Sequence, residues 1–336
     1  MGEYTKPWLS LDDQLERLAS RGVAVDPRDR ASACLRAVGY YRLTGYLYPF
    51  RCSEQVKDAD GKVRTRVLSG YRPDTSIAHI ARVIDFDRQL RMLVMDGVER
   101  IEVALRMQAG YVLGRRSPFA HLNPATFLTS FVEHQVDGET GWKTQPSKHA
   151  QWLQRVAQRR ASSDETFVAH FRDEYDGQMP IWALTEILEL GQLATLYRGL
   201  NEDDAQEIAE AFAVPTKKLM ASWLASLNYV RNVAAHHARL FNRKLQNAPA
   251  RPRLGLVPLL DHLRDEDTPK GAFGVYNALA VIAYMLRSVD RSSDWCHRLV
   301  ELCGTFPSSP DLTLGALGGP REWTSLNLWE QTGELQ

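Results

Sequence analysis

The chain has 336 residues, with 41 Lys and Arg residues against 41 Asp and Glu residues. Its 44% hydrophobic and 24% charged residues are typical of a globular protein and exclude a wholly disordered chain. The neutral net charge also argues against a polybasic protein that wraps nucleic acid. No apolar run reaches the roughly 20 residues that cross a bilayer, and the first ten residues do not resemble a secretion signal. We therefore expect no membrane association and a cytoplasmic protein.

Arginine dominates the basic residues, since nine of the 41 are Lys and the remaining 32 are Arg. The planar guanidinium suits phosphates and carboxylates, although codon usage in a GC-rich genome would give the same bias. The 4 cysteines form no CxxC pair and have no zinc-finger spacing. We expect buried thiols in a reducing compartment, and neither a metal nor a cofactor.

Helical periodicity predominates along the chain. Ser10 and Asp13 form a capping-box pattern at the first helix, and Gly22 ends it. The predicted helices cover about residues 10–22, 27–39, 76–113, 147–160, 163–174, 180–200, 203–213, 215–243, 255–265 and 271–303. Residues 115–146 and the tail from Phe306 are rich in Pro and Gly and are predicted to be irregular.

A small β-hairpin is predicted at about residues 51–72, because alternating residues flank a turn near Asp60-Gly61. The fold class is therefore mainly α with a hairpin insertion. We divide the chain into three parts. Residues 1–75 hold the N-terminal helices and the hairpin, residues 76–250 hold the helical core, and residues 251–336 hold C-terminal helices and an irregular tail that pack on the core.

The helix predicted at 76–113 is amphipathic. At 100° per residue one face carries apolar or small residues, namely Val83, Leu90, Val94, Gly97, Ile101 and Leu105. Another arc carries mostly charged residues, namely Arg88, Arg91, Met95, Glu99, Glu102 and Arg106. We expect Glu99 on a solvated face and consider Glu102 the better candidate for a site role.

One polar constellation stands out in a chain that has no phosphate-binding loop, no nucleophile elbow and no zinc-binding HExxH helix. It runs from Arg231 to Arg243. On a helix, Asn232 and His236 share a face that Arg239 and Arg243 continue. Arg231 falls at the border of the apolar face, where a half-buried guanidinium needs a carboxylate or a phosphate as partner.

Arg231 and His236 suffice for metal-free RNA cleavage. A histidine can move a proton near neutral pH, and an adjacent arginine can stabilise charge on a phosphoryl oxygen. A general base would take the proton of the 2′-hydroxyl, which then attacks its own phosphate. The alternative is a satisfied histidine pair with surface arginines, because R-x4-H is a permissive pattern. Arg116 and His121 have the same spacing, but Pro118 lies between them.

Several other residues are weaker candidates. Glu102 and Glu186 could orient Arg231 or could be solvated, and His237 is about 100° from His236 on a helix. Tyr41 and Arg42, in the aromatic stretch 39–50, could contact RNA bases and phosphates, although such clusters more often pack between helices.

The chain resembles the Abi-like (AbiD/AbiF-type) abortive-infection family, a branch of the HEPN superfamily. The matching segments are Lys6–Leu9, Gly39–Tyr46, Phe86–Arg91, Glu99–Arg106, Pro180–Trp182, Arg231–Asn242 and Gly318–Trp323. Several co-linear segments carry the resemblance, whereas R-x4-H alone would not.

The resemblance implies a HEPN-like helical bundle in which two R-x4-H motifs face each other across a homodimer. It implies a metal-independent endoribonuclease of the toxin or antiphage type, with Arg231, Asn232 and His236 as catalytic residues. From the residues themselves, and not from the resemblance, the possible supporting residues are Glu102, His237, Arg239 and Glu186, and the possible RNA-binding residues are Arg42, Tyr41 and Arg243. RNA is the expected substrate, and a cognate noncoding RNA or protein antitoxin the expected partner. The alternatives are a noncatalytic RNA- or nucleotide-binding protein and a structural interaction module.

Overall fold

The computed structural model describes residues 3, 5, 7–136, 143–264 and 273–330. These residues are mainly helical, with two small antiparallel sheets, which confirms the predicted fold class of a helical protein with a β-hairpin. The helices are α1 Leu11–Ala19, α2 Arg28–Val38, α3 Tyr40–Leu47, α4 Ile77–Arg116, α5 Thr129–Val132, α6 Lys148–Ala161, α7 Thr166–Glu174, α8 Ile181–Ile187, α9 Leu190–Gly199, α10 Glu202–Ala211, α11 Lys217–Ala235, α12 Val275–Val289 and α13 Trp295–Gly304.

The central element is α4, a helix of 40 residues that is about 60 Å long at 1.5 Å per residue. Ser76 caps its start by accepting a hydrogen bond from the His79 amide. The apolar face predicted from the sequence is buried along its whole length. Two residues of the predicted polar arc, Arg91 and Glu102, are buried as well, because α3 and α11 also pack against this helix.

The C-terminal helices α12 and α13 pack closely on α4. A Cβ atom at Gly97 would lie 2.6 Å from Cγ2 of Ile282 and 2.7 Å from Nε1 of Trp295, so only glycine fits there. The same indole donates to the carbonyl oxygen of Leu93 at 2.7 Å. Residues after 250 therefore complete the core around α4. The proposed division of the chain into three parts stays a prediction.

The predicted hairpin is present as β1 (Arg51–Lys57) and β2 (Val63–Tyr71), which pair antiparallel. Oδ1 of Asp58 accepts the amides of Asp60 and Lys62 at 3.0 and 2.9 Å and so fixes the turn. A second sheet, β3 (Gln135–Val136) with β4 (Lys143–Gln145), lies within the segment predicted to be irregular. Part of that segment lies outside the described residues.

Two predicted helices are broken. The helix predicted at 180–200 is divided between α8 and α9, because Leu188 and Glu189 are extended. Nε of Arg159 donates to the carbonyl oxygen of Ile187 at 2.9 Å, which satisfies the last turn of α8. The helix predicted at 271–303 starts outside the described residues and is interrupted between α12 and α13. In the described ranges, no helix combines the length and apolar character needed to cross a membrane.

Candidate functional site

The last turns of α11 carry the arginine and the asparagine of the predicted constellation. The helix begins after Thr216, whose hydroxyl accepts the Leu219 amide at 3.2 Å. Its buried face includes Val230, and Arg231 follows at the border of that face, half-buried as predicted. Nη1 of Arg231 donates to Oδ1 of Asn232 at 3.3 Å. The two polar side chains are therefore held together at the end of the helix.

Arg231 lines a cavity of about 220 Å³ between α11 and α4. The α4 residues that line it are Met95, Glu99, Glu102, Val103 and Arg106. Nη2 of Arg106 donates to Oε1 of the buried Glu102 at 2.7 Å, so Glu102 is paired within α4.

The guanidinium of Arg231 has no ionic partner among the described residues. No described carboxylate oxygen lies within 4.0 Å of its nitrogen atoms, and Glu102 is paired with Arg106 instead. Glu99, the other carboxylate of the cavity, is exposed to solvent as predicted. A half-buried cation without an ion pair favours an anionic ligand.

The sequence prediction that the helix continues to Arg243 is wrong, because α11 ends at Ala235. The His237 amide donates to Ala234 and the Ala238 amide to Val233, both at 3.0 Å, which is the Schellman pattern of a helix end. His237 has a positive φ of 56° in the position that usually holds glycine. His236 is the C-cap, and both imidazoles are exposed.

Asp87 of α4 holds the segment that follows α11. Its carboxylate is fully buried and accepts the amides of Leu240 at 3.1 Å and Phe241 at 2.5 Å. Arg91 and the hydroxyl of Tyr46 also donate to it. Burial, and then the charge and hydrogen bond of Asp87, raise the pKa of Tyr46 to about 12, so this hydroxyl stays a donor. Asp87 therefore ties the site segment to α3 and α4.

Arg239 and Arg243 do not continue a helical stripe with His236, contrary to the sequence prediction, because they follow the end of α11. Nη1 of Arg239 donates to the carbonyl oxygen of Gly45 at 2.9 Å, which links this segment to α3. Nε of Arg243 donates to the carbonyl oxygen of Arg239 at 2.6 Å. Both arginines are half-buried and brace the segment.

The remaining candidates form no described hydrogen bond or ion pair with the residues at the end of α11. Tyr41 on α3 is 80% exposed, and its neighbour Arg42 is half-buried. Glu186 is exposed on α8. No described hydrogen bond or ion pair joins these three side chains to Arg231 or His236.

The second R-x4-H pair does not form a similar site. Nε of Arg116 is paired with Asp204 at 2.6 Å, and His121 is buried in a short 3₁₀ turn. Burial, together with the nearby His149 and Arg160, lowers the pKa of His121 to about 4. Within the described ranges, no three His, Cys, Asp or Glu side chains are grouped as metal ligands.

Asp87, Arg91 and Tyr46 are the residues that the sequence reasoning missed. The only indication in the sequence is that Asp87 and Arg91 are oppositely charged and four residues apart on the predicted helix. The partners of Asp87, the amides of Leu240 and Phe241, come from a distant segment and leave no pattern in the sequence.

The fold and the site define a mainly helical protein with a polar constellation where one core helix ends. The chain belongs to the Abi-like protein family, whose model matches residues 33–242, well over half of its length. Membership of this family points to a function of the abortive-infection type in antiviral defence. No curated protein matches the chain, and no solved structure does.

Proposed function

We propose that this protein is a metal-independent endoribonuclease of the abortive-infection type, in the HEPN superfamily and of the AbiD/AbiF kind. The observation that carries the proposal is the half-buried guanidinium of Arg231, which lines a cavity beside α4 and has no carboxylate partner among the described residues. In the same cavity Nε of Arg106 is buried without a hydrogen-bond partner among the described residues. A phosphate oxygen in this cavity would give the guanidinium of Arg231 an anionic partner.

The proposed reaction needs only groups of this chain and of RNA. His236 takes the proton of a 2′-hydroxyl, and the freed oxygen attacks the adjacent phosphorus. The bond from phosphorus to the 5′-oxygen breaks, and a second donor protonates that oxygen. The products are a 2′,3′-cyclic phosphate and a 5′-hydroxyl. Arg231 would stabilise the charge that builds on the phosphoryl oxygens, and Asn232 would orient Arg231 through their hydrogen bond.

A second copy of the chain would supply the second proton-transfer group. Along a helix, residues five apart lie about 140° apart around the axis, so Arg231 and His236 of one copy diverge. A homodimer brings a second pair to the same phosphate, and one histidine can then act as base while the other acts as acid.

An exposed apolar stripe on α4 supports this dimer. Val103, Met107 and Tyr111 are spaced four residues apart and are 48%, 53% and 63% exposed. Trp182 of α8 is 49% exposed and contacts the same helix at Gly110 and Gly114. Val103 also lines the Arg231 cavity. A copy that covered this stripe would lie next to Arg231.

A nuclease of this type would need control in the cell. We include in the proposal a cognate partner, either a noncoding RNA or a protein antitoxin, that keeps the enzyme silent. His237 and Arg239, as supporting residues, and Arg243, as an RNA-binding residue, follow His236 in the chain and would be covered by such a partner.

The decisive experiment incubates the purified chain with labelled RNA in EDTA. We expect cleavage by the wild type, and a loss of about 100-fold or more in His236→Ala and Arg231→Ala. The matched controls are His297→Ala and Arg172→Ala. Both side chains are exposed, contact a carboxylate close by in sequence, and lie about 60 residues away from the proposed site in the chain. They should cleave like the wild type.

Each other result excludes part of the proposal. Cleavage that survives in His236→Ala would exclude the assigned base, and cleavage that EDTA abolishes would exclude the metal-free mechanism. If the wild type binds RNA without cutting it, the protein is a noncatalytic RNA-binding member of its family.

A further inference from the structure

A wide cleft of about 1420 Å³ opens among the N-terminal helices. Its walls are residues 7–9, helices α1, α2 and α3 with Arg21, Gly39 and Tyr48 that follow them, the first residue of β1 and the last of β2. Arg239, of the segment after α11, also lines it. Nε2 of Gln14 donates to the carbonyl oxygen of Leu9 at 2.9 Å and holds residues 7–9 against α1.

Among the described residues, the charged side chains that line this cleft are all arginines, namely Arg17, Arg21, Arg36, Arg51 and Arg239. No Asp or Glu is among the described residues that line it. None of these arginines forms an ion pair with a described carboxylate. Nε of Arg51 is buried and lacks a hydrogen-bond partner among the described residues. The cleft is therefore a concentrated positive field. Arg239 already donates through Nη1 to the carbonyl oxygen of Gly45, so Arg17, Arg21, Arg36 and Arg51 supply the donors for an anion.

Burial acts on two groups of the cleft. It raises the pKa of Tyr71, an effect that Arg51 and Arg21 oppose. It lowers the pKa of Arg239, as does Arg243, while Tyr46 and Asp87 act in the opposite direction. An anion bound in the cleft would stabilise the charged form of Arg239.

Three aromatic side chains of the cleft are largely exposed to solvent. Trp8, Tyr41 and Tyr48 are 87%, 80% and 54% exposed. The rings of Tyr40 and Tyr41 meet edge to face at 5.9 Å, an arrangement that leaves a flat ring face uncovered. Exposed aromatic faces beside arginines are the pattern of sites where nucleic-acid bases stack and phosphates are neutralised.

We propose that this cleft binds a single strand of nucleic acid, with phosphates on the arginines and bases stacked on Tyr41, Tyr48 and Trp8. Its volume exceeds the 300–1,000 Å³ or so of a small-molecule pocket, so it accommodates several nucleotides. A duplex would hide its bases from the rings. DNA and RNA share this chemistry, and the experiment distinguishes them.

The cleft also adjoins the proposed catalytic segment. Arg239 lies three residues after His236, and its hydrogen bond to Gly45 fixes it against α3. A strand in the cleft would therefore pass beside the end of α11. Binding in the cleft does not depend on the proposed cleavage, although the two together describe one path for a substrate.

The test measures binding of a labelled strand of about ten nucleotides by fluorescence anisotropy at several salt concentrations. RNA and DNA of one sequence and the corresponding duplex are compared in the His236→Ala background, where the proposed cleavage is blocked. Tyr41→Ala should weaken single-strand binding about tenfold. Arg36→Ala should weaken it a few-fold and lower the salt slope by about one. Both side chains are exposed, so the fold is preserved, which circular dichroism checks.

The matched controls are Tyr175→Ala and Arg28→Ala, whose exposed side chains lie outside the cleft. They should bind like the parent. The proposal would be overturned if the cleft and control variants lost affinity equally, or if the duplex bound more tightly than the single strand. It would also be overturned if the protein bound heparin and Tyr41→Ala did not change its affinity for the single strand. Stronger binding of RNA than of DNA would assign RNA as the ligand, and the reverse would assign DNA. If the wild type does not cleave RNA but the cleft variants lose affinity for the strand, the binding site in the cleft is supported and the proposed nuclease activity is excluded.

Discussion

At the scale of single residues, the carboxylate of Asp87 joins three parts of the molecule. It is fully buried, and its donors come from α3, from α4 and from the segment after α11. Removing one partner of a buried ion pair leaves the other charge uncompensated, which costs more than the pair contributes. Asp87 is thus a positioning residue for the segment that carries His236.

We predict that Asp87→Asn lowers the free energy of unfolding by about 3–5 kcal/mol, because Arg91 loses its buried counter-ion. Urea denaturation measures the change. Asp85→Asn is the matched control, since Asp85 forms an exposed i, i+3 pair with Arg88 on the same helix. That variant should differ from the wild type by less than about 1 kcal/mol. An equal loss in both variants would contradict the role assigned to Asp87.

At the scale of elements, the end of α11 determines how the site is presented. His237 holds a left-handed conformation in which a Cβ atom is unfavourable. Among the described residues, the exposed imidazole forms no hydrogen bond, ion pair or ring contact that would offset this unfavourable conformation. Because the turn directs the chain back toward Asp87, it leaves His236 exposed at the tip of the helix.

We predict that His237→Gly raises the free energy of unfolding by about 0.5–1 kcal/mol, since glycine adopts a positive φ freely. His237→Ala keeps the Cβ atom and should leave stability unchanged, while His237→Val should lower it. Thermal unfolding of the three variants measures the order. A glycine variant less stable than the wild type would show that the imidazole itself contributes to the fold.

The sequence predicts α4 better than it predicts α11, and the reason is physical. The apolar periodicity of α4, its Ser76 cap and the Pro118 that follows are local features. The end of α11 has neither Gly nor Pro, and the amides beyond it are satisfied by Asp87, which is remote in sequence. For the same reason the sequence shows the constellation as a motif but does not predict its geometry.

At the scale of the whole molecule, the exposed stripe of α4 predicts self-association. We expect light scattering to give a dimer at micromolar concentration, and Met107→Asp to give a monomer, because a buried carboxylate in an apolar interface is unfavourable. The same variant should lose RNA cleavage if the site is shared. Leu254→Asp is the control, since Leu254 is 71% exposed and lies outside the stripe. A wild-type monomer would contradict the shared site.

The close contact at Gly97 has a consequence for any comparison within the family. The region that defines the family ends at residue 242, yet Ile282 and Trp295 from beyond it fill the space against α4. The cleft likewise draws Trp8, Arg17 and Arg21 from before residue 33. Without the flanking segments, residues 33–242 would expose the apolar side chains of α4 that Ile282 and Trp295 cover, and would lack one wall of the cleft. Two proteins that share this region but differ in the segments that flank it can therefore differ in solubility and in ligand affinity.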